Sequence, residues 1–334
     1  MELFDDWETF LSRKPLKKCA ATTEGAAPEP GSIYISTRTY IMYMSKNDLD
    51  LWELFWGLPI LAYDTAAAGI TEKQLKLQST KASEVEEINE RLKGCAFSST
   101  HVIQHVETEA VYKDIRKITV GLSKKSLRTK RPKGAFYNCV ATNVRIQCDA
   151  GFREFHVKVF NTGKIEITGI QMEGHLREVI QVLTANLRQV MFIEAVPQSE
   201  MIILINSNFN CNFFIHRDKL FELLRTRYDV SAIYDPCTYP GIQCKLFVAE
   251  GAVVAQPRDG AETVSVMIFR TGSILIVGKC AEATLNLVYA YLNKLFKEEY
   301  RAIVDPNCVQ AVKKAVKVKR FRKVIQLAVK EKIE

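Results

Sequence analysis

One pattern occurs twice in this chain, and it constrains the fold more than any other feature of the sequence. Phe160, Thr162, Gly163, Ile165, Ile167 and Gly169 recur as Phe269, Thr271, Gly272, Ile274, Ile276 and Gly278, every pair offset by 109 residues. Each copy reads as two alternating strands joined at a glycine turn, which is the signature of a β-hairpin. A helical segment follows each copy, at 172–190 and 281–299. Self-similarity at a fixed spacing marks a duplicated supersecondary unit and decides the fold before any local propensity does.

The duplication extends upstream with looser spacing. Leu51-Trp-Glu-Leu-Phe55 corresponds to Leu220-Phe-Glu-Leu-Leu224, Ala62-Tyr-Asp64 to Ile233-Tyr-Asp235, and Ile35-Ser-Thr-Arg38 to Ile205-Asn-Ser-Asn208. Each unit therefore reads strand, short helix, three strands, long helix. The division implied is an N-terminal arm over 1–32, a first repeat over 33–195, a second repeat over 196–304 and a C-terminal extension over 305–334. The first repeat carries an extra stretch, 66–133, that the second lacks, and within it 81–93 reads as an acidic helix.

Period-2 parity assigns the strand faces. In the second repeat Val264, Val266, Ile268, Ile274 and Ile276 share one face. The other face shows Ser265, Met267, Phe269, Leu275 and Val277. A sheet covered by helices on one side is expected to be polar on the other, and here it is apolar. The corresponding face of the first repeat shows His156, Lys158, Phe160, Glu166 and Thr168, so the halves differ. In the first strand of the second repeat, Asn206, Asn208, Asn210 and Asn212 put a row of amides on one face, each both donor and acceptor.

The runs Gly134-Ala-Phe-Tyr-Asn-Cys139, Val157-Lys-Val-Phe-Asn-Thr-Gly163 and Tyr234-Asp-Pro-Cys-Thr-Tyr-Pro-Gly-Ile-Gln-Cys244, in this tandem order, resemble the TATA-box-binding protein family, in the divergent form found in large DNA viruses of eukaryotes. The resemblance covers 33–65 and 134–300. It implies an α+β saddle: two pseudo-repeats forming one curved antiparallel sheet, with long helices on the convex side. It further implies a general transcription initiation factor, not an enzyme, that binds and bends A·T-rich double-stranded promoter DNA through the minor groove. A TFIIB-like factor and RNA polymerase machinery would be its partners.

By position in the family's motifs, Phe160 and Phe269 are the DNA-binding wedges. Tyr239 partners Phe269, and either Phe136 or Tyr137 partners Phe160. Asn206, Asn208, Ser36, Thr168, Met267, Leu275 and Val277 are the expected base and groove contacts. Lys133, Arg145, Lys164, Lys245 and Lys279 are the expected phosphate contacts. Glu166 departs from the pattern, because a carboxylate on the concave face would meet phosphates and base acceptors. It favours a second reading, a protein-interaction scaffold that kept the saddle and lost specific DNA binding.

No cofactor, metal or small-molecule substrate is expected. His101 and His105 near Cys95 lack a fourth zinc ligand, and no G-x-x-x-x-G-K phosphate loop occurs. No apolar run approaches the ~18–20 residues of a membrane span. The nine cysteines form no C-x-x-C pair, which suits reduced thiols and an intracellular site, whether host nucleus, cytoplasmic viral factory or packaged in the virion. The formal charge of +8 is unevenly placed: 66–133 and 305–334 carry +6 each, 1–65 carry −4, and 134–304 are neutral. Any nonspecific phosphate attraction therefore belongs to the insertion and the tail.

Overall fold

The computed structural model describes residues 25–45, 48–128, 136–149, 151–191 and 198–305. Lys133 and the basic tail beyond Asp305 lie outside these residues, as does the arm up to Glu24. In chain order the first repeat comprises β1 (Tyr34–Tyr43), α1 (Leu51–Gly57), β2 (Gly69–Ser79), α2 (Ala82–Lys93), β3 (Ser98–Glu107), β4 (Tyr112–Gly121), α3 (Lys124–Arg128), β5 (Cys139–Cys148), β6 (Gly151–Phe160), β7 (Lys164–Ile170) and α4 (Glu173–Met191). The second comprises β8 (Gln198–Asn210), α5 (Arg217–Thr226), β9 (Ala232–Ile233), β10 (Gly241–Ala249), β11 (Ala252–Val254), β12 (Glu262–Phe269), β13 (Ser273–Gly278), α6 (Glu282–Glu298) and α7 (Tyr300–Ile303).

All the strands join one antiparallel sheet. Its order is β11-β10-β12-β13-β8-β1-β7-β6-β5-β2-β4-β3, with β9 also on the outer edge of β10. The strands that open the repeats, β1 and β8, pair at the centre, and each repeat unrolls outward from them. This is the duplicated α+β architecture that the 109-residue repeat implies. Much of the stretch 66–133 is sheet: β2 pairs with β5, and β4 and β3 continue the sheet beyond it. Each repeat therefore has a strand after its short helix that pairs with a later long strand of the repeat: β2, eleven residues long, on β5, and β9, only two, on β10.

The long helices cover one face because their apolar stripes recur at helical spacing. In α4 the buried stripe is Leu176, Val179, Leu183 and Leu187; in α6 it is Leu285, Val288, Leu292 and Leu295. They close on Val157, Val159, Ile165 and Ile167 in one repeat and on Val264, Val266, Ile268, Ile274 and Ile276 in the other, each at most 1% exposed. Each such side chain contributes roughly 1.5–3 kcal/mol. The short helices start at side-chain caps: the Asp50 carboxylate accepts from the Trp52 and Glu53 amides at 2.8 and 3.1 Å. Lys73, on the helix-covered face of β2, is 4% exposed, and its ammonium donates to the Leu58 carbonyl at 2.6 Å. Burial pulls its pKa down to about 8.

The repeated turn glycine has a steric cause. Gly272 sits at φ 76°, and a Cβ there would lie 2.3 Å from the Phe213 carbonyl oxygen. Gly163 holds the same left-handed conformation at φ 73°. The amide of each closes its hairpin on the wedge candidate, to the Phe269 carbonyl at 2.9 Å and the Phe160 carbonyl at 3.0 Å.

Candidate nucleic-acid interface

With helices on one face, cross-strand register assembles the other. In the second half, Gln243, Met267, Leu275, Asn208 and Tyr34 stand opposite one another across five strands. A second row runs Lys245, Ser265, Val277, Asn206 and Thr37. Met267, Leu275 and Val277 are partly exposed, so the centre of this face is an open apolar strip flanked by amides. The groups that end the rows on β10, Gln243 and Lys245, are exposed.

At the hairpin end of the strip, Phe269 meets Tyr239 with ring centroids 5.9 Å apart and planes inclined at 59°. Gly241 lies opposite Phe269, and a Cβ there would come within 3.1 Å of both rings, so glycine makes room for the pair. Tyr239 is held by a turn built on Asp235. The Asp235 carbonyl accepts from the Tyr239 amide at 2.9 Å, and its carboxylate accepts from the Thr238 hydroxyl at 2.8 Å and the Cys237 amide at 3.0 Å. These hydrogen bonds, the Thr238 hydroxyl foremost, hold the Asp235 pKa below the usual aspartate value.

The same rows in the first half carry different chemistry. Ile41, Glu166, Lys158, Ala141 and Gln74 face one another, and beside them Thr39, Thr168, His156, Asn143 and Glu72. Lys158 and Glu166 occupy the positions of Met267 and Leu275. They form an ion pair at 2.6 Å, with side chains 19% and 17% exposed. The Glu166 carboxylate that the sequence sets among the groove-facing residues is thus matched by a cation on the same face. Burial, reinforced by Lys158 and Lys125, lowers the His156 pKa to about 4, so it is neutral at physiological pH.

The first half is also partly covered. A connection from Gly121 at the end of β4 to Cys139 at the start of β5 joins two strands that both run antiparallel to β2. The described parts of this connection, the short helix α3 among them, touch the face opposite the long helices. The Lys124 amide donates to Glu154 at 2.8 Å, the Tyr137 ring lies 3.7 Å from the Lys76 ammonium, and the Phe136 ring lies 5.0 Å from that of Lys158. Arg145, an expected phosphate contact, is 6% exposed. Its guanidinium donates to the carbonyls of Tyr63 (2.8 Å), Ala67 (3.1 Å) and Thr65, so it ties a loop to the sheet.

The expected site residues separate accordingly. Phe269, Tyr239, Met267, Leu275, Val277, Asn206 and Asn208 come together on one face, with Lys245 on that face and exposed Lys279 just beyond β13. Phe160, Thr168 and Lys164 share the first-half face, and the Lys164 ammonium lies 4.9 Å from the Phe160 ring. Phe136 and Tyr137 are 60% and 48% exposed, each beside a lysine. Ser36 falls at a bulge, its hydroxyl donating to the Asn206 carbonyl at 3.0 Å. The residue opposite Asn206 is Thr37, whose hydroxyl accepts from the Asn206 amide at 3.2 Å. The repeat alignment pointed to Ser36 and missed Thr37 because a bulge adds one residue and leaves no composition signal.

No family model matches the chain. A protein of Acanthamoeba polyphaga mimivirus described as "TATA-box-binding protein-like" is 25% identical over 228 residues, covering 63% of this chain and 60% of that relative. The chain thus spans less than two thirds of the relative's length. Among solved structures, Methanococcus jannaschii TBP aligns with a TM-score of 0.39 and 13% identity, over 79% of this chain and 96% of that one.

Proposed function

We propose that this chain, a divergent viral relative of the TATA-box-binding proteins, is a non-enzymatic transcription initiation factor that binds and bends A·T-rich promoter DNA. The observation that carries the reading is the open apolar strip of Met267, Leu275 and Val277, bounded by Asn206 and Asn208 and ending in the Phe269–Tyr239 pair. A minor groove offers few distinguishing hydrogen-bonding groups, and A·T pairs offer only acceptors. A smooth apolar surface with a few amide donors fits that floor. Aromatic side chains at the strip's end unstack a base step and open the groove, a mode of which TATA-box-binding proteins are the type example. In this reading Lys245, Lys279 and Lys164 neutralise phosphates at the edges, and the helix-covered side recruits a TFIIB-like factor and RNA polymerase inside the infected cell.

The test is bending of a fluorophore-labelled A·T-rich duplex by the full chain, followed by energy transfer between its ends. Wild type bends the duplex, and the double variant Phe269→Ala/Tyr239→Ala loses both bending and affinity. Equal affinity for A·T-rich and G·C-rich duplexes, falling steeply with salt and unaffected by the variant, would leave only backbone attraction.

The Lys158–Glu166 pair and the connection lying on the first-half face favour a second reading. There the saddle is a protein scaffold without specific DNA binding, and it predicts no bending by wild type.

A further inference from the structure

Cross-strand register fixes which residues of the two halves correspond. Gly241 stands opposite Phe269, and Cys139 stands opposite Phe160. Cys139 therefore holds the place of Gly241, and Tyr137, two residues earlier, holds the place of Tyr239. Both halves bring a tyrosine and a phenylalanine to the hairpin end of their helix-free face.

Only the second half joins the two rings. They lie 5.9 Å apart over Gly241, at the spot where a Cβ would come within 3.1 Å of each and push them apart by a few tenths of an ångström. In the first half that spot is filled by a Cβ and a sulfur. Cys139 is 3% exposed, and burial raises its pKa to about 11, with the charges of Lys158 and Glu166 also acting on it. Its thiol is thus packed on the face that carries the Lys158–Glu166 pair. The Tyr137 ring is turned to the Lys76 ammonium, 3.7 Å away. That lysine belongs to β2, whose counterpart β9 pairs only with Gln243 and Cys244. Phe160 has the Lys164 ammonium 4.9 Å from its ring, and among the described residues no ring contact joins it to Phe136 or Tyr137.

Magnitudes separate the two causes. An exposed cation–π contact contributes only about 0.5–1 kcal/mol, so Lys76 alone holds Tyr137 weakly. The packed Cys139 side chain is the stronger obstacle, because it occupies the space over which the rings would close. A wedge must offset the few kcal/mol that unstacking a base step costs, and a lone ring brings less contact area to that task than a pair.

We propose that this chain kinks its duplex at one end only, with Phe269 and Tyr239 as the wedge, and that Cys139 in the place of glycine leaves Phe160 without the partner that would complete a second one. The inference rests on the groove-binding reading above and specifies its ligand. The duplex needs one easily unstacked pyrimidine–purine step at one end of an A·T-rich site, and a second such step adds nothing to the bend. A site with a single step is also bound in a single orientation, because the wedge goes to that end.

Two A·T-rich duplexes test this with the full chain, one carrying a TA step at one end of the site and the other a TA step at both ends. 2-Aminopurine in each terminal step reports unstacking by its fluorescence, and energy transfer between the duplex ends reports the bend. Both duplexes should bend equally. The single TA step should brighten fully, and each step of the second duplex about half as much, because the two orientations are equally populated. Gly241→Cys, which writes the first half's residue into the second, should lose brightening and bending on both duplexes with an unchanged circular dichroism spectrum. Tyr239→Ala, which leaves β10 untouched, should do the same. Full brightening at both ends of the second duplex, with a larger bend, overturns the one-ended kink and leaves groove binding standing. Bending that survives both variants also overturns it. A wild-type chain that bends neither duplex overturns the groove-binding reading, and the one-ended kink with it.

Discussion

The two repeats share a core and differ on the face that the core leaves open. Under the helices, Val179 and Leu183 of the first half match Val288 and Leu292 of the second, each at most 1% exposed, and the strands beneath alternate identically. On the helix-free face, Met267 and Leu275 are answered by Lys158 and Glu166, Val277 by Thr168, and Ser265 by His156. The difference shows that duplication fixes what packing requires and leaves the open face free to take another chemistry. An apolar strip that helices do not cover marks an interaction surface, which is why the proposed groove contact is assigned to the second half. The first half needs no such contact, since its charges pair and part of its surface is covered by its own chain.

The comparison can be broken at the core first. Leu183→Ala and Leu292→Ala should each cost about 2–5 kcal/mol, read by urea unfolding of the full chain. A cost confined to one variant would mean that the cores are not equivalent.

The wedges come next. Phe269→Ala should weaken binding to A·T-rich duplex by about tenfold or more, ~1.4 kcal/mol, and Phe160→Ala by less, as measured by fluorescence anisotropy. Equal losses would restore symmetry between the halves.

Legibility from sequence followed the same division. The repeat, the helix-covered stripe and the turn glycines were readable because periodic burial and a positive φ leave periodic residues, as in Val264, Val266 and Ile268 or Gly272. The contrast between the open faces was readable by parity as well. What was not readable depended on register and on long-range hydrogen bonds. The bulge that puts Thr37 opposite Asn206 is one case. Another is Arg145, which reads as a surface cation until its guanidinium is seen holding the carbonyls of the 63–67 loop. The residues of β2 to β4 read as an appended stretch because β2, which joins them to the sheet, pairs with β5 some seventy residues on.

A pH series sharpens the contrast within the core, since Lys73 is a buried cation of the first half. Its folded pKa, about 8, lies below the ordinary lysine value of 10.5, so the unfolded chain holds more protons between those values. Stability should therefore rise as pH increases through that window, by at most about 1.4 kcal/mol per pH unit. Lys73→Met should flatten this rise in urea melts.

The smallest effect concerns the paired face. A double-mutant cycle on Lys158→Met and Glu166→Leu should give a coupling of about 0.5–1 kcal/mol in stability, because the pair is only partly shielded from solvent. The double variant should lose less than the sum of the single ones.

The most direct test exchanges the chemistry of the faces without touching the core. Met267→Lys/Leu275→Glu writes the first half's ion pair into the second half, and bending of an A·T-rich duplex is followed by energy transfer between its ends. The variant should fold like wild type yet neither bend the duplex nor prefer A·T-rich over G·C-rich DNA. Bending that survives the exchange would contradict the assignment of groove recognition to the apolar strip of the second half.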